Sequence, residues 1–217
     1  MSCSLNLRNI TYIKDDITIF ANVLLNLGHE EKIAIVGANG CGKSTLLKII
    51  AGLIKPSVGY IEVFHHKMEN LKSFKAFRND IGYLPQDVSN HFLCPTVIED
   101  VIFSLCANGV SQKEALQKAD VLLEELGIMH LKERTVFELS GGEQKIVALA
   151  GLLILEPKIL LLDEPTNALD MKSQEKIVTL LNSIKKSMII VSHHTSFIES
   201  LTSTVYELKE HTLTKKE

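Results

Sequence analysis

The sequence contains no tryptophan, few aromatic residues and only four cysteines among its 217 residues. The cysteines lack the spacing typical of a metal site. One of them, Cys41, lies inside a glycine-rich loop, where a disulfide would obstruct a bound ligand. Because disulfides persist mainly in oxidising compartments, this distribution predicts reduced thiols and a cytosolic location.

An excess of positive charge and a long apolar run are lacking as well. The formal net charge is -3, so no nucleic-acid partner is predicted. The longest apolar run, residues 146–155, is about half the length that crosses a bilayer. Residues 1–5 are not a basic segment followed by an apolar core, so no secretion signal is predicted. A membrane role is therefore expected only through a partner.

A phosphate-binding loop is the strongest signal that the sequence does contain. It follows an apolar run, residues 32–36, that is typical of a buried strand, and it precedes residues 46–52, which predict a helix ended by Gly52. The loop fits G-x-x-x-x-G-K-[ST] and consists of Gly37, Ala38, Asn39, Gly40, Cys41, Gly42, Lys43, Ser44 and Thr45. Its backbone N–H groups and the helix N-terminus predict phosphate binding, with Lys43 on the β- and γ-phosphates and Ser44 on Mg²⁺.

Two adjacent carboxylates follow a second apolar run, residues 159–162. Ligands gather at the carboxyl ends of parallel strands. We therefore expect Asp163 to hold Mg²⁺ through water and Glu164 to polarise the water that attacks the γ-phosphate.

Residues 139–143 carry a serine and two glycines before a glutamate, and two interpretations stay open. Ser140 and Glu143 fit a capping box, so the segment predicts a helix start. The same geometry, with Gly141 and Gly142, makes an open anion site that could take a phosphate held by a second chain.

The rest of the chain predicts an α/β fold, because short apolar strands alternate with helical patterns. Residues 4–36 indicate a small antiparallel β subdomain, and residues 87–150 read as an inserted helical subdomain whose helices open at capping boxes on Thr96 and Ser111. His65 and His66 are expected in a hairpin loop, since a metal site needs further ligands. The predicted architecture is a P-loop NTPase core, mostly a parallel sheet with flanking helices, in a single domain spanning residues 1–217.

Taken together, these motifs resemble those of the ATP-binding subunits of ABC transporters. The similarity covers nearly the whole chain, and the motifs occur in the family's order. They are the Walker A loop at 37–45, the Q-loop glutamine Gln86, the signature at 139–143 with Glu143 for the usual Gln, Walker B at 160–164, the D-loop at 167–170 ending in Asp170, and the switch histidine His193.

The resemblance implies an ATPase that uses ATP and Mg²⁺, with Lys43, Glu164 and His193 in catalysis and Gln86 reaching the metal. It also implies a head-to-tail homodimer or heterodimer of two such subunits, in which each ATP lies between one Walker A loop and the other chain's signature. A membrane subunit would place a helix in a groove beside residues 86–103, which puts the protein at the cytoplasmic face of the cell membrane.

A narrower similarity, to the energy-coupling-factor ATPases of cobalt, nickel and vitamin uptake, lies in residues 86–87, 96–103 and 139–151. Another ABC importer or exporter, or a soluble ATP-dependent clamp, is the alternative. The chain departs from the family pattern at Ile146, where an arginine is usual, and at His29-Glu30-Glu31, which replaces a usual glycine turn. For the adenine-stacking aromatic, Tyr12 is the nearest candidate, although it could equally be a core tyrosine.

Overall fold

The computed structural model describes residues 3–167 and 169–216. Over this part of the chain, the strands form two sheets, and short 3-10 helices connect some of the elements. The strands are β1 Cys3–Lys14, β2 Ile17–Gly28, β3 Lys32–Val36, β4 Val58–Val63, β5 His66–Met68, β6 Ile81–Leu84, β7 Ile159–Asp163, β8 Ser187–Val191, β9 Val205–Lys209 and β10 Thr212–Lys215. The helices are α1 Lys43–Ile50, α2 Val97–Ala107, α3 Gln112–Glu125, α4 Gly141–Leu153, α5 Met171–Ser183 and α6 Thr195–Glu199.

The first sheet has the strand order β2-β1-β4-β5, and its pairs are antiparallel. It confirms the antiparallel pairing expected for the first strands. Inward-facing residues of β2 alternate with solvent-facing ones, which is the pattern of a strand with one buried face. The turn after β4 includes His65, whereas His66 already belongs to β5, so only the first of the two histidines lies in the predicted loop.

The second sheet has the order β10-β9-β3-β8-β7-β6 and is parallel from β9 through β3 and β8 to β7. Every residue of β7 and β8 is buried, which explains why their sequences show no alternation. Parallel strands bring their carboxyl ends to one edge of the sheet. The loop that begins at Gly37, the carboxylate of Asp163 and the segment after Val191 therefore meet at this edge.

Helix starts follow the capping chemistry that the sequence predicts at two of three places. Thr96 and Ser140 both close complete capping boxes with the glutamate three residues on. At α3 only half of the predicted box forms: the Ser111 hydroxyl accepts from the Glu114 N–H, while the Glu114 carboxylate pairs with Lys118 at 3.3 Å. The expectation of a full box at Ser111 is therefore wrong, because an (i, i+4) cation competes for the carboxylate.

The chain divides into two compact units. One runs to Tyr83 and adds Lys158–Glu164 and the segment from Lys185 onwards, so it contains both sheets almost entirely. The other comprises Leu84–Pro157 and Pro165–Ile184 and is helical. In the described part of the chain, no helix is both long enough and apolar enough to span a membrane.

Candidate nucleotide site

The loop between β3 and α1 is bent into a form that requires glycine. Gly37 and Gly42 have φ of 151° and 107°. A Cβ at Gly37 would lie 2.4 Å from the Leu208 carbonyl oxygen, and one at Gly42 would lie 2.6 Å from Cγ2 of Ile19. A side chain at Gly37 would collide with the backbone of β9, and one at Gly42 would collide with side chains of β2. The loop therefore curls tightly around the N-terminus of α1, which begins at Lys43.

Lys43 is buried, and its ammonium lies within this loop. Its Nζ donates to the carbonyl oxygens of Gly37 at 2.8 Å and Ala38 at 2.9 Å. These bonds satisfy the charge of the side chain and hold it over the helix N-terminus. The positive end of the α1 dipole and the ammonium together create a site that favours an anion such as a phosphate.

Asp163 ends β7 beside Ser44, and only 2 % of it is exposed. Burial raises the pKa of this carboxyl, although a hydrogen bond from the Ser44 hydroxyl acts in the opposite direction. Among the described residues, its Oδ1 has no hydrogen-bond partner. A hydroxyl and a buried carboxylate with an unused oxygen are hard donors of the kind that Mg²⁺ prefers, so these two residues fit the metal.

Tyr83, on β6, is a member of this site that the motifs do not reveal. Burial, followed by the nearby Asp163 charge, raises the pKa of its phenol. The hydroxyl therefore keeps its proton and remains available as a donor toward that carboxylate. A tyrosine in a short strand before Pro85 gave no signal of this role in the sequence.

Glu164 turns away from the strand direction that Asp163 follows. Its φ is 49°, and its N–H donates to the Val191 carbonyl at 2.9 Å, which anchors the turn to the end of β8. Its Oε1 accepts a hydrogen bond of 2.9 Å from Nδ1 of His193. The carboxylate is 5 % exposed, whereas half of the imidazole side chain faces solvent. A non-glycine residue held at positive φ is costly, and such strain is concentrated at functional sites.

In the helical unit, Ser140 is an exposed N-cap. Its hydroxyl and its N–H both donate to Glu143 Oε2 at 2.8 Å, and the pKa of Glu143 is lowered by these bonds. The serine and glycines do form a helix N-terminus, as both interpretations of this segment require. A carboxylate from the same helix already lies at that N-terminus, which is the position where an incoming anion would bind.

The other predicted residues of this unit take defined positions as well. Asp170 caps α5 by accepting from the Ser173 N–H at 2.9 Å. Gln86 is exposed just after β6. Ala168 of the predicted D-loop lies outside the described residues.

Tyr12 packs against Phe20, with ring centroids 6.1 Å apart, at the margin of the core. The ring is half-buried, so the choice between a core or edge tyrosine and an adenine-stacking one stays a prediction.

The structure thus brings Lys43, Ser44, Asp163, Glu164 and His193 to one sheet edge within one unit. It places Gln86, Asp170 and the signature residues in the other unit. Lys145, a buried cation on α4, is a further residue that the motifs did not single out. Its charge gave no signal because lysine on a helix is usually solvated.

Comparison with known proteins agrees with this arrangement. The family model described as "ABC transporter" matches residues 20–167. An ABC transporter ATP-binding protein of Brucella suis is 40 % identical over 205 residues, which cover 94 % of this chain and 85 % of the relative. An uncharacterized ABC transporter ATP-binding protein of Haemophilus influenzae is 37 % identical, with 94 % of each chain covered.

Two solved structures are similar throughout. CbiO1 of Clostridium perfringens, part of the ABC transporter complex CbiONQ, superposes with a TM-score of 0.86 at 30 % identity, covering 98 % of this chain and 87 % of that one. The ATP-binding cassette MJ0796, in a dimer bound to ADP and phosphate, gives a TM-score of 0.87 at 30 % identity, with 98 % of both chains covered.

Proposed function

Because this chain belongs to the ABC transporter family and is an ATP-binding, ATP-hydrolysing subunit, we propose that it powers an energy-coupling-factor importer of cobalt ion, nickel ion or a vitamin. The similarity of residues 86–87, 96–103 and 139–151 to that group supports the assignment. The likeness to CbiO1, which is part of CbiONQ, supports it too. The chain would act as a single nucleotide-binding domain, with residues 87–150 as its helical subdomain.

ATP would bind with its phosphates against the N–H groups of residues 37–45 and the ammonium of Lys43, which would exchange its loop carbonyl partners for phosphate oxygens. Ser44 and Asp163 would hold Mg²⁺, with Gln86 as a further oxygen donor. When bound, the metal neutralises negative charge on the β- and γ-phosphate oxygens.

The hydrogen-bonded pair of Glu164 and His193 is the observation that most directly supports this proposal. Water attacks the γ-phosphorus, the bond to the β-γ bridging oxygen breaks, and the products are ADP and phosphate. Glu164 would orient the water and accept its proton, while the 2.9 Å bond to His193 holds the carboxylate in place. Since Nδ1 already serves Glu164, the γ-phosphate contact would fall to Nε2 of the same ring.

The second half of each site would come from another chain, as a homodimer or a heterodimer. Ser140, Gly141 and Gly142 would bind the γ-phosphate of the ATP held by the neighbouring subunit, and Asp170 would contribute through the D-loop. Loss of the γ-phosphate then removes contacts that hold the pair closed.

A membrane subunit would dock on the helical unit beside residues 86–103. Leu93 and Phe103 are 71 % and 43 % exposed there, so this surface presents apolar side chains that a partner helix would cover. The Asp100 carboxylate fixes the segment by accepting from the N–H groups of Leu93 and Cys94 at 2.6 and 3.0 Å. This contact would place the protein at the cytoplasmic face of the membrane.

The substitution Glu164→Gln tests the catalytic assignment. We expect ATP binding to persist and turnover to fall by about 100-fold or more, because the amide cannot accept the proton of the attacking water. The variant should also accumulate as an ATP-bound dimer in sedimentation experiments. The matched control is Glu156→Gln, at an exposed glutamate in the turn after α4. Unchanged turnover in Glu164→Gln would remove Glu164 from this role.

Coupling between solute transport and ATP hydrolysis is tested on the complex of this chain with its membrane subunit. ATPase activity of the purified complex should rise when the transported ion or vitamin is supplied. Stimulation by an unrelated solute would favour another class of ABC importer.

A further inference from the structure

Lys145 is a buried cation whose role the proposed mechanism leaves open. It lies in the second turn of α4, and only 4 % of it is exposed. Removing an ammonium from water is unfavourable unless the charge is compensated by polar partners. A charge retained at such a position is therefore expected to be held by specific groups.

The D-loop provides one of these groups. Nζ of Lys145 donates to the Asn167 carbonyl at 3.3 Å, so the side chain joins the helix that starts at the signature to the segment that precedes α5. The two segments meet again nearby. A Cβ added to Gly142 would lie 3.1 Å from Cδ2 of Leu169, which shows that Leu169 packs on the first turn of α4.

Two further contacts of the D-loop run to α5. The Gln174 side chain donates to the Leu169 carbonyl at 2.9 Å, and Asp170 caps α5. Two contacts from α4 therefore hold the D-loop: the Lys145 hydrogen bond and the packing of Leu169. The hydrogen bond also fixes the orientation of the Asn167 carbonyl.

Lys145 also acts on the Q-loop. Asp87, which follows Gln86, has a lowered pKa, mainly because its carboxylate accepts from Ser89, and the positive charge of Lys145 contributes to this lowering. The ammonium, carried by the signature helix, thus bonds to the D-loop, and its charge favours the ionised carboxylate of Asp87 in the Q-loop.

We propose that Lys145 is a positioning residue of the ATPase, which fixes the D-loop on the signature helix so that both reach the neighbouring subunit in one geometry. The inference rests on the proposed two-chain site. Residues that must act together on one phosphate need to be held within about 0.5 Å of their working positions, and the bond to Asn167 restrains a segment that is otherwise a loop.

The substitution Lys145→Met tests this role, because methionine keeps an unbranched apolar stem and removes the donor. We expect kcat to fall about tenfold while the KM for ATP changes less than about twofold, since the defect lies in orientation and not in nucleotide binding. Lys145→Gln, whose amide can still donate to the Asn167 carbonyl, should recover a large part of kcat. Lys113→Met, at an exposed lysine of α3, is the matched control and should behave as wild type.

A second measurement uses the Glu164→Gln background. Adding Lys145→Met there should reduce the ATP-dependent dimer seen by sedimentation, whereas adding Lys113→Met should not. Folding of each variant is checked by its thermal unfolding transition.

The outcomes separate the inference from the function on which it rests. A folded Lys145→Met variant with wild-type kcat would overturn the positioning role, as would a kcat that falls equally in Lys145→Met and Lys145→Gln. Failure of both variants to fold would assign Lys145 to stability alone. Absence of ATPase activity in the wild-type protein would instead contradict the proposed function.

Discussion

Asp163 and Glu164 are adjacent carboxylates that end the same strand in different environments. Asp163 continues the strand, faces Ser44 and is almost fully buried. Glu164 is turned by its positive φ toward His193. Two like charges so close together raise the pKa of Asp163 beyond the effect of burial. The backbone conformation of a single residue thus separates the two carboxylates, as the proposed metal-holding role of Asp163 and water-orienting role of Glu164 require.

The buried charge of Asp163 leads to a prediction about stability. Its folded-state pKa is raised, so the folded protein takes up the proton more readily than the unfolded chain, and the ionised carboxylate destabilises the fold at neutral pH. We expect Asp163→Asn to raise the Tm of the nucleotide-free protein by about 2–4 °C. The same variant should lose the extra stabilisation that Mg²⁺ and ATP give the wild type. Thermal unfolding with and without MgATP measures both effects.

The charge-based explanation also predicts how the gain in Tm changes with pH. The gain in Tm should be full at pH values well above the folded-state pKa, and it should narrow as the pH falls through that pKa and wild-type Asp163 becomes protonated. The control is Asp16→Asn, at an exposed aspartate in the turn between β1 and β2. A gain that stays constant at every pH down to the acid limit of folding, or a lower Tm for Asp163→Asn, would contradict a charge-based penalty.

At the scale of single elements, the N-terminus of α4 is a structural cap at the place of the proposed anion site. Glu143 neutralises the positive end of the helix and engages the Ser140 hydroxyl. For a neighbour's phosphate to bind there, that hydroxyl must turn from the carboxylate to the phosphate. The glutamate that replaces the usual glutamine therefore stabilises the helix in the free chain and competes with the ligand.

Two capping boxes of the same type allow these roles to be separated. Ser140→Ala and Thr96→Ala each remove a cap hydroxyl with a glutamate at N3, so each should lower the free energy of unfolding by about 1 kcal/mol. Only Ser140→Ala should also reduce ATPase activity of the isolated protein. Denaturant unfolding and steady-state ATPase assays measure the two effects. Equal loss of activity in both variants would indicate that stability alone explains the result.

The elements also show which features the sequence could predict. The loop at 37–45, the strand before Asp163 and the cap at Ser140 were predictable, because each depends on local chemistry: glycine conformation, a fully apolar strand or a serine-glutamate pair. The strands β5, β9 and β10 were missed because they are short. β5 and β10 pair with the strand just before them, whereas β9 pairs with the distant β3. Tyr83 and Lys145 were missed for a related reason: their roles arise from burial, which tertiary packing decides.

At the scale of the whole molecule, the five residues at the sheet edge form only half of the proposed site. They can bind the phosphates and the metal and orient a water molecule. The signature helix belongs to the other unit, and its cap is exposed. A symmetric pair of chains is the simplest assembly in which each exposed cap meets a phosphate, because a two-fold axis creates both contacts at once.

Mixing two inactive variants tests this assembly. Lys43→Met disables phosphate binding in its own chain, and Ser140→Phe blocks the contact that the chain offers to its neighbour, so each variant alone should have almost no ATPase activity. In a mixed pair both lesions fall in one site, and the other site is built entirely from wild-type residues. An equal mixture should therefore regain about a quarter of wild-type turnover, because half of the pairs are mixed and each has one intact site of two.

The double variant Lys43→Met/Ser140→Phe mixed with either single variant should regain nothing, since it supplies neither wild-type residue. If the two single variants form ATP-dependent pairs without regaining activity, the two halves do not combine between identical chains, and the homodimer must give way to a heterodimer with a different cassette.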